Sequence, residues 1–181
     1  MPAYDIRAPQ PDELRPLQTM LSACNIPSEA VTSTNLRDYL IVREGFDEKI
    51  IACIGMERHG TLGVVKHLAV AMNAVAEDWV TQLLSMMEDR ARTEGIKQLF
   101  VMSKATAGYF EGRGYHRLDR VQYPELLRCQ PRFADAAPDE ICMTKVVPED
   151  HRIDYDRPFP RMDGARPVFQ IPRGWKPPAD E

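Results

Sequence analysis

No stretch of this chain approaches the roughly 18 consecutive apolar residues needed to span a bilayer. Its first residues, MPAYDIRAPQPDELRP, lack the basic-then-apolar profile of a secretory leader, so a cytoplasmic protein without membrane attachment is expected. Cysteine is sparse. Cys24, Cys53, Cys129 and Cys142 stand far apart with no C-x-x-C spacing, and each reads as a buried or half-buried thiol. His59, His67, His116 and His151 show no i, i+4 pairing and no H-E-x-x-H pattern, so no metal is expected. An excess of basic charge is missing too: 23 Lys and Arg against 27 Asp and Glu leave a net charge of −4 and no electrostatic reason to bind nucleic acid or an anionic membrane. A phosphate P-loop, a dinucleotide-binding glycine fingerprint and a nucleophile elbow are all absent.

What is present suits one globular domain. The chain has 181 residues, 44% hydrophobic and 28% charged, and no internal repeat. Proline divides it. Seven of its 15 prolines fall in 148–181, which excludes a helix there. The apolar residues of that stretch, Phe159, Phe169 and Trp175 among them, predict an extended arm whose aromatic anchors dock on a surface, in cis or on a protein partner. The expected organisation is therefore a domain over 1–147 and a proline-rich arm over 148–181.

Residues 1–147 read as alternating strands and helices. A short strand at 4–7 precedes a helix from about Pro11, with Asp12 and Glu13 in its first turn and Leu14, Leu17, Met20 and Leu21 as its apolar stripe. A second short helix is expected over 28–32, capped by Ser28. Strands over 38–43, 49–56 and 62–71, joined by GFDE and ERHGT, predict an antiparallel meander. Trp79, Val80, Leu83, Leu84, Met87 and Ala91 give 76–94 a helical stripe ended by Gly95. The apolar run QLFVM within 97–103 predicts a strand buried on both faces. A helix at 106–112, a strand near 116–121, a turn of helix after Pro124 and a last strand at 141–147 complete a mixed α/β domain.

Three strings in this order carry a resemblance. HLAVAMNAVAEDWVTQLL at 67–84 is similar to a strand, phosphate loop and long helix, LFVMSKATAGYFEGRGY at 99–115 to the following strand and a helix with an F-F/Y-x-x-x-G-F/Y ending, and GMERHGTLGVVKHLAV with YPELLRCQPRFADAAPDEICMTKVV supplies the flanks. Together they resemble the GNAT acetyltransferase superfamily, in its arsenic-resistance-operon and N-acetylglutamate-synthase-like branch, over about residues 4–147. The resemblance implies a mixed, mostly antiparallel central sheet flanked by helices, acetyl-CoA as acyl donor and a small amine as acceptor. It leaves the amine open, because the superfamily acetylates many kinds.

Carried over residue by residue, the resemblance puts the backbone of Leu68 and Val70 beside the thioester. The loop that cradles the CoA pyrophosphate falls on Val75, Ala76, Asp78 and Val80, where relatives have a basic or glutamine residue followed by glycines. Each replacement adds bulk beside a backbone that must touch phosphate. Glu77 and Asp78 add negative charge, and two unit charges about 4 Å apart repel by about 4 kcal/mol at an effective dielectric of about 20. This predicts a degenerate cofactor loop.

Catalytic candidates are few. Phe110 stands where many relatives have an acidic tyrosine and has no proton to give; Tyr109, next to it, is turned by roughly 100° around the helix. Glu57 is a candidate base. Lys66 is a candidate for holding a substrate carboxylate, and Ser103 for touching a ligand in the gap between the central strands. Two functions stay open. One is a GNAT-fold module with a degenerate acetyl-CoA site, non-catalytic or weakly active, which docks a protein partner through Phe159, Phe169 and Trp175 and needs no cofactor. The other is an acetyl-CoA-dependent N-acetyltransferase acting on a small amine such as an amino acid. The loop at 75–80 weighs toward the first.

Overall fold

The structure, a computed structural model, describes residues 4–45, 49–72, 74 and 76–149. Seven strands form one sheet: β1 (Tyr4–Arg7), β2 (Tyr39–Glu44), β3 (Lys49–His59), β4 (Leu62–Val70), β5 (Gln98–Ser103), β6 (His116–Leu118) and β7 (Ile141–Val146). Their spatial order is β1-β2-β3-β4-β5-β7-β6, and every neighbouring pair is antiparallel except β4 and β5. Helices α1 (Leu14–Ala23), α2 (Ala76–Thr93), α3 (Ala107–Glu111), α4 (Glu125–Arg128) and α5 (Pro131–Ala134) cover its two faces.

Strand alternation assigns the faces. Leu40 and Val42 of β2, Ile54 and Met56 of β3, and Leu99 and Val101 of β5 pack with Leu83, Leu84, Met87 and Ala91 of α2 and Phe110 of α3. Tyr39, Ile41 and Cys53 point the other way, onto Leu17, Met20 and Leu21 of α1. Phe100 and Val64 share that second face with Leu127 and Phe133 of α4 and α5. Helix α2 ends as its sequence predicts: Gly95 takes φ +74°, and the Ile96 N–H reaches the Ala91 carbonyl at 2.8 Å as the chain turns into β5.

Two irregularities open the sheet. The parallel register of β4 and β5 runs only from Leu62↔Gln98 to Val65↔Val101; beyond it the strands part, although β4 continues to Val70 and β5 to Ser103. Between β3 and β4, Gly55 pairs with Lys66 and Cys53 with Ala69, so Ile54 alone opposes both His67 and Leu68. That bulge puts His67 at φ +52°, one of two non-glycine residues at positive φ among the described residues.

Several expectations are corrected. Residues 28–32 form no helix. One Val31 N–H to Ser28 carbonyl bond of 3.1 Å closes a turn there, and the Asn35 side chain ties the Thr32 N–H and the Ala30 carbonyl, so the local polar groups outbid a helix in a stretch of β-branched residues. β3 runs on to His59, and β6 stops at Leu118, where Asp119 starts a short 3-10 turn at Arg120–Gln122. α5, with Pro131 in its first turn, was not anticipated. The proline-rich arm lies outside the described residues from 150 onward. No helix among the described residues is long and apolar enough to cross a membrane.

Candidate functional site

A cleft of about 890 Å³ opens where β4 and β5 part. Lys66, His67 and Leu68 line it from β4, and Val101 and Met102 from β5. Val80 of α2 with Thr106, Tyr109 and Phe110 at α3 line it from one face of the sheet, and Ile26, Pro27 and Ala30 with Gln130–Phe133 from the other. The parting therefore makes a passage between the two faces, with an apolar throat.

The α3 side carries two buried polar atoms without a hydrogen-bond partner among the described residues, the Tyr109 hydroxyl and Arg113 Nε. The Tyr109 hydroxyl is buried and makes no hydrogen bond with any described residue. The Arg113 guanidinium lies 4.3 Å from the centre of its ring and donates to Thr81 Oγ1, and Phe110 meets it edge to face at 5.5 Å between centroids. The angular offset expected between Tyr109 and Phe110 does not remove Tyr109 from the site: both side chains line the cleft.

The α1 and α5 side is charged. Cys53, Gly55 and Glu57 alternate onto this face from β3, and the bulge brings both Lys66 and His67 to it from β4. Lys66 Nζ donates to Glu57 Oε2 at 2.8 Å, and His59 Nε2 stands 3.3 Å from Oε1. The Lys66 hydrogen bond holds the Glu57 carboxyl below its usual range despite partial burial. A carboxylate kept ionised and engaged by two neighbours is a weak proton acceptor, so Glu57 serves better as the anchor of Lys66 than as a base.

His67 is the residue sequence reading passed over. Its Nδ1 lies 2.7 Å from the Tyr39 hydroxyl, the two rings stack at 5.9 Å and 15°, and the Cys53 thiol donates to its backbone carbonyl at 3.3 Å. Burial, then Lys66 and Arg132, push its pKa below the ordinary imidazole value, against a smaller opposing pull from Glu57. Tyr39 is fully buried, and burial raises its hydroxyl well above the usual phenol value. One sequence signal pointed here. Gly55 interrupts the apolar strand KIIACIGMERH, and a glycine inside a strand marks a bulge or a close approach; a Cβ at Gly55 would sit 2.6 Å from Tyr39 Cε1.

The other candidates are distributed as follows. Leu68 and Val80 line the cleft, while Val70 ends β4 outside its lining. Ser103 is buried and turned inward: its hydroxyl meets Thr106 Oγ1 at 2.6 Å and accepts the Thr106 N–H at 3.0 Å, so Thr106 and not Ser103 presents to the cleft. Ala76 and Asp78 enter the first turn of α2. Val75, Phe159, Phe169 and Trp175 lie outside the described residues. Among the described residues no group of three or more His, Cys, Asp or Glu is placed to hold a metal ion.

No protein-family model and no curated protein matches the sequence. Solved structures do. The N-acetylglutamate synthase of Neisseria gonorrhoeae, in complex with coenzyme A and N-acetyl-glutamate, superimposes with a TM-score of 0.69 at 19% identity over 81% of this chain, which spans only 36% of that longer protein. A GNAT-family acetyltransferase from Staphylococcus aureus gives 0.65 at 14% identity, covering 81% of this chain and all of its own (100%). The ribosomal-protein-S18-alanine N-acetyltransferase of Escherichia coli gives 0.61 at 16%, covering 84% of this chain and 99% of its own. The strand order, the parted central pair and these superpositions agree: the chain has the fold of the GNAT N-acetyltransferases.

Proposed function

We propose that this protein transfers an acetyl group from acetyl-CoA to the primary amine of a small molecule. The observation that carries this is the open passage between β4 and β5, lined by Tyr109 and Phe110 on one face and by a charged group of side chains on the other. Similar folds crystallised with coenzyme A support the donor. The reading as a non-catalytic docking module rested on Val75, on the replacements in the first turn of α2 and on the arm; Val75 and the arm fall outside the described residues, and the described cleft favours transfer.

The described lining fits the acyl end of the donor. An apolar throat that includes Leu68, Val80 and Phe110 suits an acyl thioester, and an orphaned buried hydroxyl suits the sulfur that leaves it. Acetyl-CoA supplies a carbonyl carbon that accepts the amine's electron pair while the C–S bond breaks and its pair stays on sulfur. Tyr109 Oη then gives its proton toward that side of the cleft and recovers one from solvent, acting as the general acid. Lys66, held by Glu57, faces the acceptor and positions an anionic group on it. Orientation of the two substrates in the throat supplies much of the rate.

Isothermal titration of the full chain with acetyl-CoA, followed by thiol release in the presence of pooled proteinogenic amino acids or pooled polyamines, tests this reading. Saturable heat and amine-dependent thiol release are expected. No heat and no thermal shift would overturn it.

A further inference from the structure

We infer that His67 is the general base that takes the proton from the acceptor amine, and that Tyr39, seated in the space left by Gly55, positions it. The inference rests on the transfer reading above and adds a residue to it. Four observations converge. The bulge turns His67 out of the regular alternation and onto the acceptor face of the cleft. Its backbone stands at φ +52°, a conformation histidine adopts uncommonly and under strain. Nδ1 is taken by Tyr39, so Nε2 is the ring nitrogen left for the cleft, with no partner among the described residues. The absent Cβ at Gly55 is what lets the Tyr39 ring lie across β3 to reach Nδ1.

The arrangement works with the imidazole proton on Nδ1, donated to Tyr39 Oη, and the lone pair on Nε2. An incoming ammonium gives one proton to Nε2. Nε2 passes that proton to solvent and is free again; the nitrogen pair then forms the N–C bond as the C–S pair departs with sulfur and takes the proton Tyr109 delivers, and nitrogen gives its second proton to Nε2, which returns it to solvent. Tyr39 accepts from Nδ1 throughout and fixes the ring plane, the part an orienting group plays for a catalytic histidine. The charged and titratable groups facing His67 are Lys66 on β4, Glu57 and the Cys53 thiol on β3, Arg132 on α5 and the Tyr39 hydroxyl on β2. Burial and the two cations outweigh Glu57 and keep the ring neutral, ready to accept a proton, down to a pH below the ordinary histidine range.

Two variants suit the left-handed backbone and remove the base: His67→Asn and His67→Gly. With acetyl-CoA and pooled amino acids as probes, each is expected to lower kcat/KM on the order of 100-fold. Affinity for acetyl-CoA should stay unchanged by titration, and exogenous imidazole should restore part of the rate to His67→Gly alone. The wild-type rate should rise with pH along an acid limb below the usual histidine value, and Tyr39→Phe should lower kcat and move that limb further down. His116→Asn, on exposed β6, is the control. Nitrogen chemical shifts of labelled histidine in the unaltered protein give a reading independent of any variant, with His67 neutral at pH 7 and its proton on Nδ1. Transfer by the wild type with His67→Asn within fivefold of it and the same acid limb would overturn this inference alone, as would a proton resident on Nε2. No transfer by the wild type would remove the reading on which it rests.

Discussion

Gly55→Ala tests the packing that holds the α1 side of the cleft together. The added methyl would lie 2.6 Å from Tyr39 Cε1, shorter than real carbon contacts, and a tight 3.0 Å from Cδ1 and Cζ. The obstacle is a rigid ring, fully buried on Leu17, Leu21 and Leu36 and tied by its hydroxyl to His67, so it has no rotamer to escape into. Overpacking of this kind costs about 1–3 kcal/mol. Displacing the ring also gives up the hydroxyl's hydrogen bond, about 1 kcal/mol. Stiffening the unfolded chain returns about 0.4–1 kcal/mol. The net expectation is a loss of about 2 kcal/mol, or a fall of about 4–8 °C in Tm for a domain of this size. Urea unfolding should show a lower midpoint at unchanged slope. Gly63→Ala is the comparison: its closest contact, 2.8 Å to Leu99 Cδ2, is the tip of a flexible side chain, so it should cost less. A Gly55→Ala protein as stable as the wild type would refute the claim that Tyr39 is wedged.

Two further outcomes are expected. Tyr109→Phe removes the buried partnerless hydroxyl, so it should leave stability unchanged or raise it by up to about 1 kcal/mol while lowering kcat at least tenfold with little change in acetyl-CoA affinity; kcat within twofold of wild type would exclude the acid role. Glu13 accepts from Arg7 at 2.7 and 2.8 Å and from the Gln10 N–H at 2.6 Å, and the Arg7 bonds hold its carboxyl below the usual range. The unfolded chain thus binds that proton more readily, so this contribution is complete above the unfolded carboxylate pKa of about 4.3 and is lost as pH falls below it. Glu13→Gln should cost about 2 kcal/mol at neutral pH and flatten the acid side of the stability curve, which thermal melts across pH would read.

The elements that one face of spaced apolar residues defines were readable in the sequence. Trp79, Leu83, Leu84, Met87 and Ala91 specify α2 because they can all be buried only at the helical period, and LFVM specifies β5 because both its faces are covered. The stretch at 28–32 misled because Ser28 is a good cap with nothing helical behind it: the residues that follow satisfy each other through Asn35 instead. α5 is four residues long and made by Phe133 seating on Tyr123, a contact between loops that no periodicity announces.

The site was legible only in part, for a reason of distance. Lys66 and Glu57 were named from local sequence, and their pairing follows from the β3–β4 register once the strands are laid side by side. His67 was not, because what sets it apart is a Tyr39 hydroxyl 28 residues away and one extra residue in the β4 ladder. In the string KHLAV it looks like any strand residue.

The two most costly local features of the cleft stand on opposite sides of it. A buried hydroxyl without a partner forgoes about 1–3 kcal/mol, and a non-glycine residue at left-handed φ about 1–2 kcal/mol. Tyr109 carries the first from α3, and His67 the second from β4. Neither helps the sheet: Phe110, one residue on, shows that a ring without a hydroxyl packs well on α3, and a regular β4 would pair with β3 without a bulge. Strain kept at two residues that line one open passage is what the proposed transfer would use, with a proton leaving at His67 and a proton supplied at Tyr109.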